Sequence, residues 1–203
     1  MRSSLVLSMM FLGVMATAPQ ARADDRGFLA LFDFGQEERY APPVEDQQLV
    51  RQVPDTTREL VSDPTHARPG TVTIVTAERV LYLSLPGGQA YRYRVGVGRP
   101  GFTWHGVRQI GRKEEWPNWR PPSAMLKRRP DLPHYMTGGV ENPLGARAMY
   151  LYDGENDSGF RIHGSNEPDT IGQAVSSGCI RMLNADVTDL YKRVKVGATV
   201  NVL

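Results

Sequence analysis

The chain has 203 residues, 40% of them hydrophobic and 23% charged, which excludes a collagen-like repeat and a highly charged disordered chain. That length fits one sizeable domain with an extension better than two large domains. A single cysteine rules out an intrachain disulfide and a Cys-rich zinc cluster, and a formal net charge of +2 with no recognised motif makes nucleic acid an unexpected partner.

The chain opens with Arg2 and an almost wholly apolar run from Leu5 to Ala18, followed by Ala21-Arg22-Ala23. This pattern is expected to be a secretory signal peptide over residues 1–23. A membrane anchor is the alternative reading, but a run of 14 residues is short of the roughly 20 that span a bilayer. Cleavage after Ala23 leaves 180 residues and removes Arg2 and Arg22, so the formal net charge falls from +2 to zero. The mild basicity of the whole chain is therefore a poor guide to partners. Charge remains uneven, with ten acids against five basic groups over 24–68 and nine basic groups against four acids over 99–147. A local positive field over 99–147 attracts anions, unless it is only a solvated face.

Residues 24–69 are rich in Pro, Asp, Glu and Gln, with Phe28 to Phe34 as an apolar exception. They are expected to form an irregular extension, and the compact domain, 70–203, to begin near Gly70 after the breakers Asp63-Pro64 and Pro69-Gly70. Strands are expected at Thr71 to Thr76, Val80 to Leu85 and Gln89 to Val97, the last with Tyr91, Tyr93, Val95 and Val97 on one face. Gly98 to Gly145 holds all three tryptophans and many prolines. It is expected to be a long ordered loop with one short helix at Ser123 to Arg128, its aromatics serving as local core or as a binding wall. Further strands are expected at Ala148 to Tyr152, Phe160 to His163 and Thr199 to Leu203, with a short helical turn at Thr170 to Ala174. A helix from Asn184, as its cap, to about Val194 carries Val187, Leu190, Tyr191 and Val194 on one face.

The reactive candidates are Cys179 and His163. Cys179 stands in Ser176-Ser177-Gly178-Cys179-Ile180-Arg181, where Gly178 permits a close backbone approach and the amides of Gly178 and Cys179 suit an oxyanion. Arg181, two positions on, shares a strand face with Cys179, and its charge favours a thiolate or binds a carboxylate. His163 ends a strand and precedes Gly164-Ser165-Asn166. A Cys–His pair turns a thiol into a nucleophile for acyl transfer. Spacing alone leaves open an inert cysteine with a structural histidine. A metal site from His66, His105, His134, His163 and Cys179 lacks any close ligand pair. Glu155, Asp157, Glu167 and Asp169 offer no evident catalytic carboxylate pair.

The stretch His163 to Met182, HGSNEPDTIGQAVSSGCIRM, closely resembles the signature of the L,D-transpeptidase (YkuD-type) catalytic domain: His-Gly, a spacer, Ser/Thr-x-Gly-Cys, an apolar residue and Arg or Asn. The resemblance extends over about Thr71 to Leu203. Two departures stand out: Gly98-Arg99-Pro100-Gly101-Phe102 where many members carry Thr-Pro-x-Gly, and Ser177 where some carry His. The resemblance implies a mainly β, sandwich-like fold with short helices and a long ordered loop. It also implies cysteine-dependent transfer on peptidoglycan tetrapeptide stems without cofactor or metal.

Under that implication Cys179 is the nucleophile, His163 the base, the Gly164 carbonyl its orienting partner and Arg181 a carboxylate or organising group. Ser176, Ser177, Gly178, Ser165 and Asn166 line the oxyanion and substrate site. Stem peptides are donor and acceptor, an outer-membrane lipoprotein is a further acceptor, and water as acceptor makes the same acyl-enzyme an L,D-carboxypeptidase. A wall-binding module without turnover is the rival from another class. The protein is expected in the periplasm as a monomer.

Overall fold

The computed structural model describes residues 54–203. The expected signal peptide, 1–23, and the apolar patch Phe28 to Phe34 lie outside the described residues. Among the described residues no helix is long and apolar enough to cross a membrane.

Strands form where β-branched and aromatic residues alternate: β1 (Glu59–Ser62), β2 (Val72–Val75), β3 (Val80–Ser84), β4 (Gln89–Arg94), β5 (Val97–Gly98), β6 (Gly106–Glu115), β7 (Arg147–Asp153), β8 (Asn156–His163), β9 (Ala174–Ser176), β10 (Ile180–Arg181) and β11 (Thr199–Val202). Among the described residues two α-helices interrupt them, α1 (Ser123–Arg128) and α2 (Asn184–Arg193), with a 3₁₀ turn at Pro168–Thr170. Nine strands make one sheet in the order β1-β4-β3-β2-β11-β6-β7-β8-β10, and β5 pairs β9. Neighbours in the nine-stranded sheet run antiparallel except β2 with β11 and β8 with β10, and β5 runs parallel to β9.

The sheet curls on itself. The backbone just beyond β4 meets the opposite edge, where Gly96 and Arg181 exchange two hydrogen bonds of 2.8 Å each. One core fills the enclosed space. It takes Ile74 of β2, Leu81 and Leu83 of β3, Tyr93 of β4, Met149 and Leu151 of β7, Ile162 of β8 and Val200 and Val202 of β11. Val187, Leu190 and Val194 of α2 close it, and this helix packs on β7 and β8. The fold is the mainly β, sandwich-like domain with short helices that the sequence implies.

Four local readings change. Strand β1 falls within 24–69, the stretch expected to be irregular, and its register Leu60 to Tyr91 extends the sheet N-terminal to Gly70. The long loop expected over 98–145 contains the ten-residue strand β6, paired to β11 and β7 through a bulge between Ile110 and Arg112. Helix α1 matches its expected span. Asn184 does not cap α2 with its side chain, because its Oδ1 accepts instead from the amides of Ala146 (2.9 Å) and Ser165 (3.2 Å). The expected turn at Thr170 to Ala174 begins earlier, at Pro168.

The first turn of α2 also ties down the start of the described chain. Asp186 is fully buried and accepts from Thr56 Oγ1 (2.5 Å), Thr57 Oγ1 (2.7 Å) and the Thr57 amide (3.0 Å). Its position also places negative charge at the helix N-terminus, where it is favoured. Asp186→Ala strips an acceptor from three donors, so a loss of about 2–3 kcal/mol is expected. Urea unfolding measures it; a change below about 0.5 kcal/mol contradicts this role.

Candidate active site

His163 ends β8 and Cys179 immediately precedes β10. The parallel pairing sets Ile180 opposite Ile162 and Arg181 opposite His163, so the cysteine loop enters the sheet beside the strand that carries the histidine. The proposed pair is thereby brought to one edge of the sheet although sixteen residues separate it in sequence.

His163 is 5% exposed, and its Nδ1 lies 2.6 Å from the Gly164 carbonyl oxygen. A carbonyl only accepts, so Nδ1 carries the proton and Nε2 keeps its lone pair. Burial pushes the imidazole pKa down to about 4, with the positive charges of Arg181 and Arg161 acting in the same direction and the backbone carbonyls of Gly164 and Pro143 opposing them. His163 is therefore a neutral base near pH 7. Gly164 is held by space as well as by its carbonyl, since a Cβ there collides with Asn184 Oδ1.

Cys179 is half-buried. Desolvation pushes its thiol pKa up, while the Arg161 backbone and the charges of Arg161 and Arg181 pull it down and Asp157 pushes it up. Burial of both groups thus favours the neutral thiol and neutral imidazole over a preformed ion pair. Because His163 must stay neutral to act, kcat/KM is expected to be flat from about pH 5 to 7 and to fall as pH drops through about 4. Stability carries the same sign. The unfolded imidazole protonates near 6.5 and the folded one near 4, so the unfolded state binds more protons in between. Stability falls as pH drops through that window. A kcat/KM profile with its acid limb at about 6.5 contradicts the neutral-base assignment.

The remaining site residues act mainly on loop shape. Ser176 is 3% exposed; its Oγ donates to the Cys179 carbonyl at 2.6 Å and accepts from the Gly178 amide at 3.1 Å. The Gly178 amide is thus engaged internally. Gly178 has φ of +110°, in the region that favours glycine, and a Cβ would stand 2.7 Å from the Phe160 ring and 3.1 Å from the Phe102 carbonyl oxygen. Ser177 Oγ lies 3.5 Å from Arg99 Nη1. Ser165 Oγ accepts from the Glu167 amide at 2.9 Å, and Asn166 Nδ2 donates to the Glu141 carbonyl at 3.0 Å. Arg181 Nη1 is ion-paired with Glu167 at 2.8 Å and lies 3.4 Å from Thr170 Oγ1.

Several residues escape a sequence reading. Trp104 Nε1 donates to the Gly178 carbonyl at 2.9 Å while its ring stacks on Phe160 at 4.5 Å, clamping the cysteine loop from outside. Arg99 of the departing Gly98-Arg99-Pro100-Gly101-Phe102 run donates its amide to the Ser176 carbonyl at 3.0 Å, so that run packs directly on the loop. Arg161, held by Asp157 at 3.2 Å and lying over the Tyr150 ring, puts charge near both Cys179 and His163. Trp104 and Arg99 reach the cysteine loop from a segment distant in sequence, and Arg161, two residues before His163 in β8, comes near Cys179 only through the β8–β10 pairing. Among the described residues no three His, Cys, Asp or Glu side chains gather as a metal site.

The L,D-transpeptidase catalytic domain (YkuD) family model matches residues 69–202. An Escherichia coli strain K12 protein named probable L,D-transpeptidase ErfK/SrfK is 32% identical over 165 residues, covering 77% of this chain and 47% of its own. The chain thus spans about half the length of this relative. A Brucella melitensis crystal structure, described as a probable carnitine operon oxidoreductase, is 43% identical, with a TM-score of 0.51 over 71% of this chain and 91% of that one. L,D-transpeptidase 3 of Mycobacterium tuberculosis, at 17% identity and a TM-score of 0.52 over 66% of this chain and 60% of that one, shares the fold. The family model embraces the sheet from β2 to β11, the His163–Gly164 pair and the Cys179 loop together, and the chain belongs to the L,D-transpeptidase catalytic-domain family.

Proposed function

We propose that this domain is a cysteine-dependent L,D-transpeptidase that cleaves the meso-diaminopimelate–D-Ala bond of peptidoglycan tetrapeptide stems and passes the acyl group to an amine. The observation that carries this reading is the buried neutral His163, its Nδ1–H committed to the Gly164 carbonyl, on the strand paired with the one that Cys179 precedes.

Cys179 Sγ attacks the carbonyl at the L-centre of diaminopimelate while His163 Nε2 takes the thiol proton. The Cys179 amide is the donor assigned to the tetrahedral oxyanion, since the Gly178 amide serves Ser176 Oγ. Gly178 instead supplies the backbone path that presents Cys179. When the carbon–nitrogen bond breaks, His163 returns the proton to the amine of departing D-Ala and a thioester remains. An acceptor amine then attacks the thioester, loses its proton through His163 and regenerates the thiol. Arg181, fixed by Glu167, faces the carboxylates of the stem. Ser177, Ser165 and Asn166 border the substrate and hold the loops on which it rests. The protein acts in the periplasm, exported by residues 1–23.

Purified protein mixed with disaccharide-tetrapeptide and resolved by mass spectrometry tests this reading. Release of D-Ala with a cross-linked dimer is the expected result, and a hydrolysed tripeptide alone assigns carboxypeptidase activity. An intact tetrapeptide after prolonged incubation identifies a binding module and overturns the proposal.

A further inference from the structure

Outside the reactive site the molecule gathers a second set of charged groups. A cavity of about 400 Å³ is lined by Arg79, Arg92, Arg94 and Gly172, with Glu59 and Glu78. Three chain segments meet there through one residue: the Val95 amide donates to the Arg79 carbonyl at 2.9 Å, and the Val95 carbonyl accepts from the Gly172 amide at 3.2 Å. The guanidinium groups are drawn together on the glycine. Arg79 Nη1 donates to the Gly172 carbonyl at 3.3 Å, and a Cβ on Gly172 would come within 2.9 Å of Arg94 Nη2. Arg79 is also held at φ of +57°, a conformation that costs a non-glycine residue energy and tends to mark functional positions.

Their charges are not balanced within the chain. Arg92 is paired with Glu59 at 3.0 Å, whereas among the described residues neither Arg79 nor Arg94 has a carboxylate within ion-pair distance. Three arginines face two glutamates, so the lining carries a net positive charge. Holding two like charges on one glycine is unfavourable unless an anion lies between them, and the guanidinium fork matches the paired oxygens of a carboxylate or phosphate.

We infer that this cavity is an oxyanion-binding site, formed by Arg79 and Arg94 with Arg92 at its edge, for a carboxylate or phosphate group. The loop that supplies Gly172 also holds Arg181 through Glu167 and Thr170, so the site stands next to the reactive loop without sharing its groups. The carboxylate of a wall peptide and free phosphate present the same chemistry here. Both arginines are exposed, so the affinity is modest and weakens with salt.

Calorimetric titration of the Cys179→Ala protein, which cannot turn over, tests the inference with inorganic phosphate in one arm and disaccharide-tripeptide in the other. At least one probe is expected to saturate, with Kd rising about tenfold or more when Arg79→Gln or Arg94→Gln is added and unchanged when Arg129→Gln is added, since Arg129 is exposed, pairs with Asp131 and lies outside the cavity. Saturation by phosphate alone identifies the phosphate source, and tripeptide saturation that Arg79→Gln or Arg94→Gln weakens identifies the wall carboxylate. The inference is overturned if neither probe saturates below about 10 mM, if the affinity survives both arginine substitutions, or if Arg129→Gln weakens it equally. Equal melting temperatures confirm that the variants are folded. Binding here is independent of turnover at Cys179, so failure of one leaves the other standing.

Discussion

Cys179→Ala is expected to lower kcat for D-Ala release by at least about 10⁴-fold while leaving the melting temperature within a few degrees. The Cys179 thiol is the proposed carrier of the acyl chain. It is half-buried and its Sγ is not among the hydrogen bonds that shape the loop, which run through Ser176 and Trp104. His163→Gln is expected to cost about as much in kcat, because thiol and imidazole act as one unit and removing either disables the other. The double variant should therefore be scarcely worse than either single one. Kinetics of the two single variants and the double on disaccharide-tetrapeptide measure this, and losses that multiply would show that the residues act independently.

Gly178→Ala carries the second large effect, and it acts through backbone and packing rather than chemistry. Alanine there meets a φ of +110° and two neighbours at once, the Phe160 ring and the Phe102 carbonyl. The Phe160 ring is backed by Trp104, which itself bonds the Gly178 carbonyl, so the loop has no free direction in which to move. A stability loss of about 2–4 kcal/mol is expected. A fall in kcat of about 100-fold or more should accompany it, since a displacement of about 1 Å at the nucleophile is enough to cause one. Gly154→Ala is the control. Its φ is +58°, but a Cβ finds nothing within 4 Å, so it should cost only about 1 kcal/mol and leave kcat intact. Equal losses in the two variants would show that backbone strain alone, not the fit against Phe160 and Phe102, dominates at Gly178.

The strands that read most clearly in the sequence are those whose faces are set by the hydrophobic core. Tyr93, Val95 and Val97 do line one side, with Tyr91 packed against it, as the period of two requires. Strand β6 reads poorly because its sequence, GVRQIGRKEE, is charged and only Ile110 is buried. Its place in the sheet rests on contacts that alternation does not record. Arg112 stacks on Tyr150, Lys113 lies over Tyr191, and Lys113 Nζ donates to the carbonyls of Tyr191 (2.6 Å) and Val194 (2.8 Å) at the end of α2. Long cationic side chains thus do work expected of apolar ones, and the bulge after Ile110 shifts the register.

The reactive pair was legible because its neighbours are local: Gly164 follows His163 and Gly178 precedes Cys179. The supports were not, because Trp104 and Asn184 reach the site from a loop and a helix start, and Phe160 and Arg161, on the strand of His163, act on the Cys179 loop only through the folding of that loop beside β8. Asn184 shows the difficulty well. Its position before an amphipathic run suggests a helix cap, yet its amide spans the Ser165 backbone and the Ala146 amide. Only the tertiary structure reveals that competition for the same side chain.

The most direct measurement is the intact mass of the protein quenched during turnover of disaccharide-tetrapeptide. A thioester at Cys179 predicts an added mass equal to the disaccharide-tripeptide less one water, mapped to the peptide containing Cys179, released by hydroxylamine and absent from Cys179→Ala. Turnover with the adduct on another residue, or undiminished turnover in Cys179→Ala, would contradict the account.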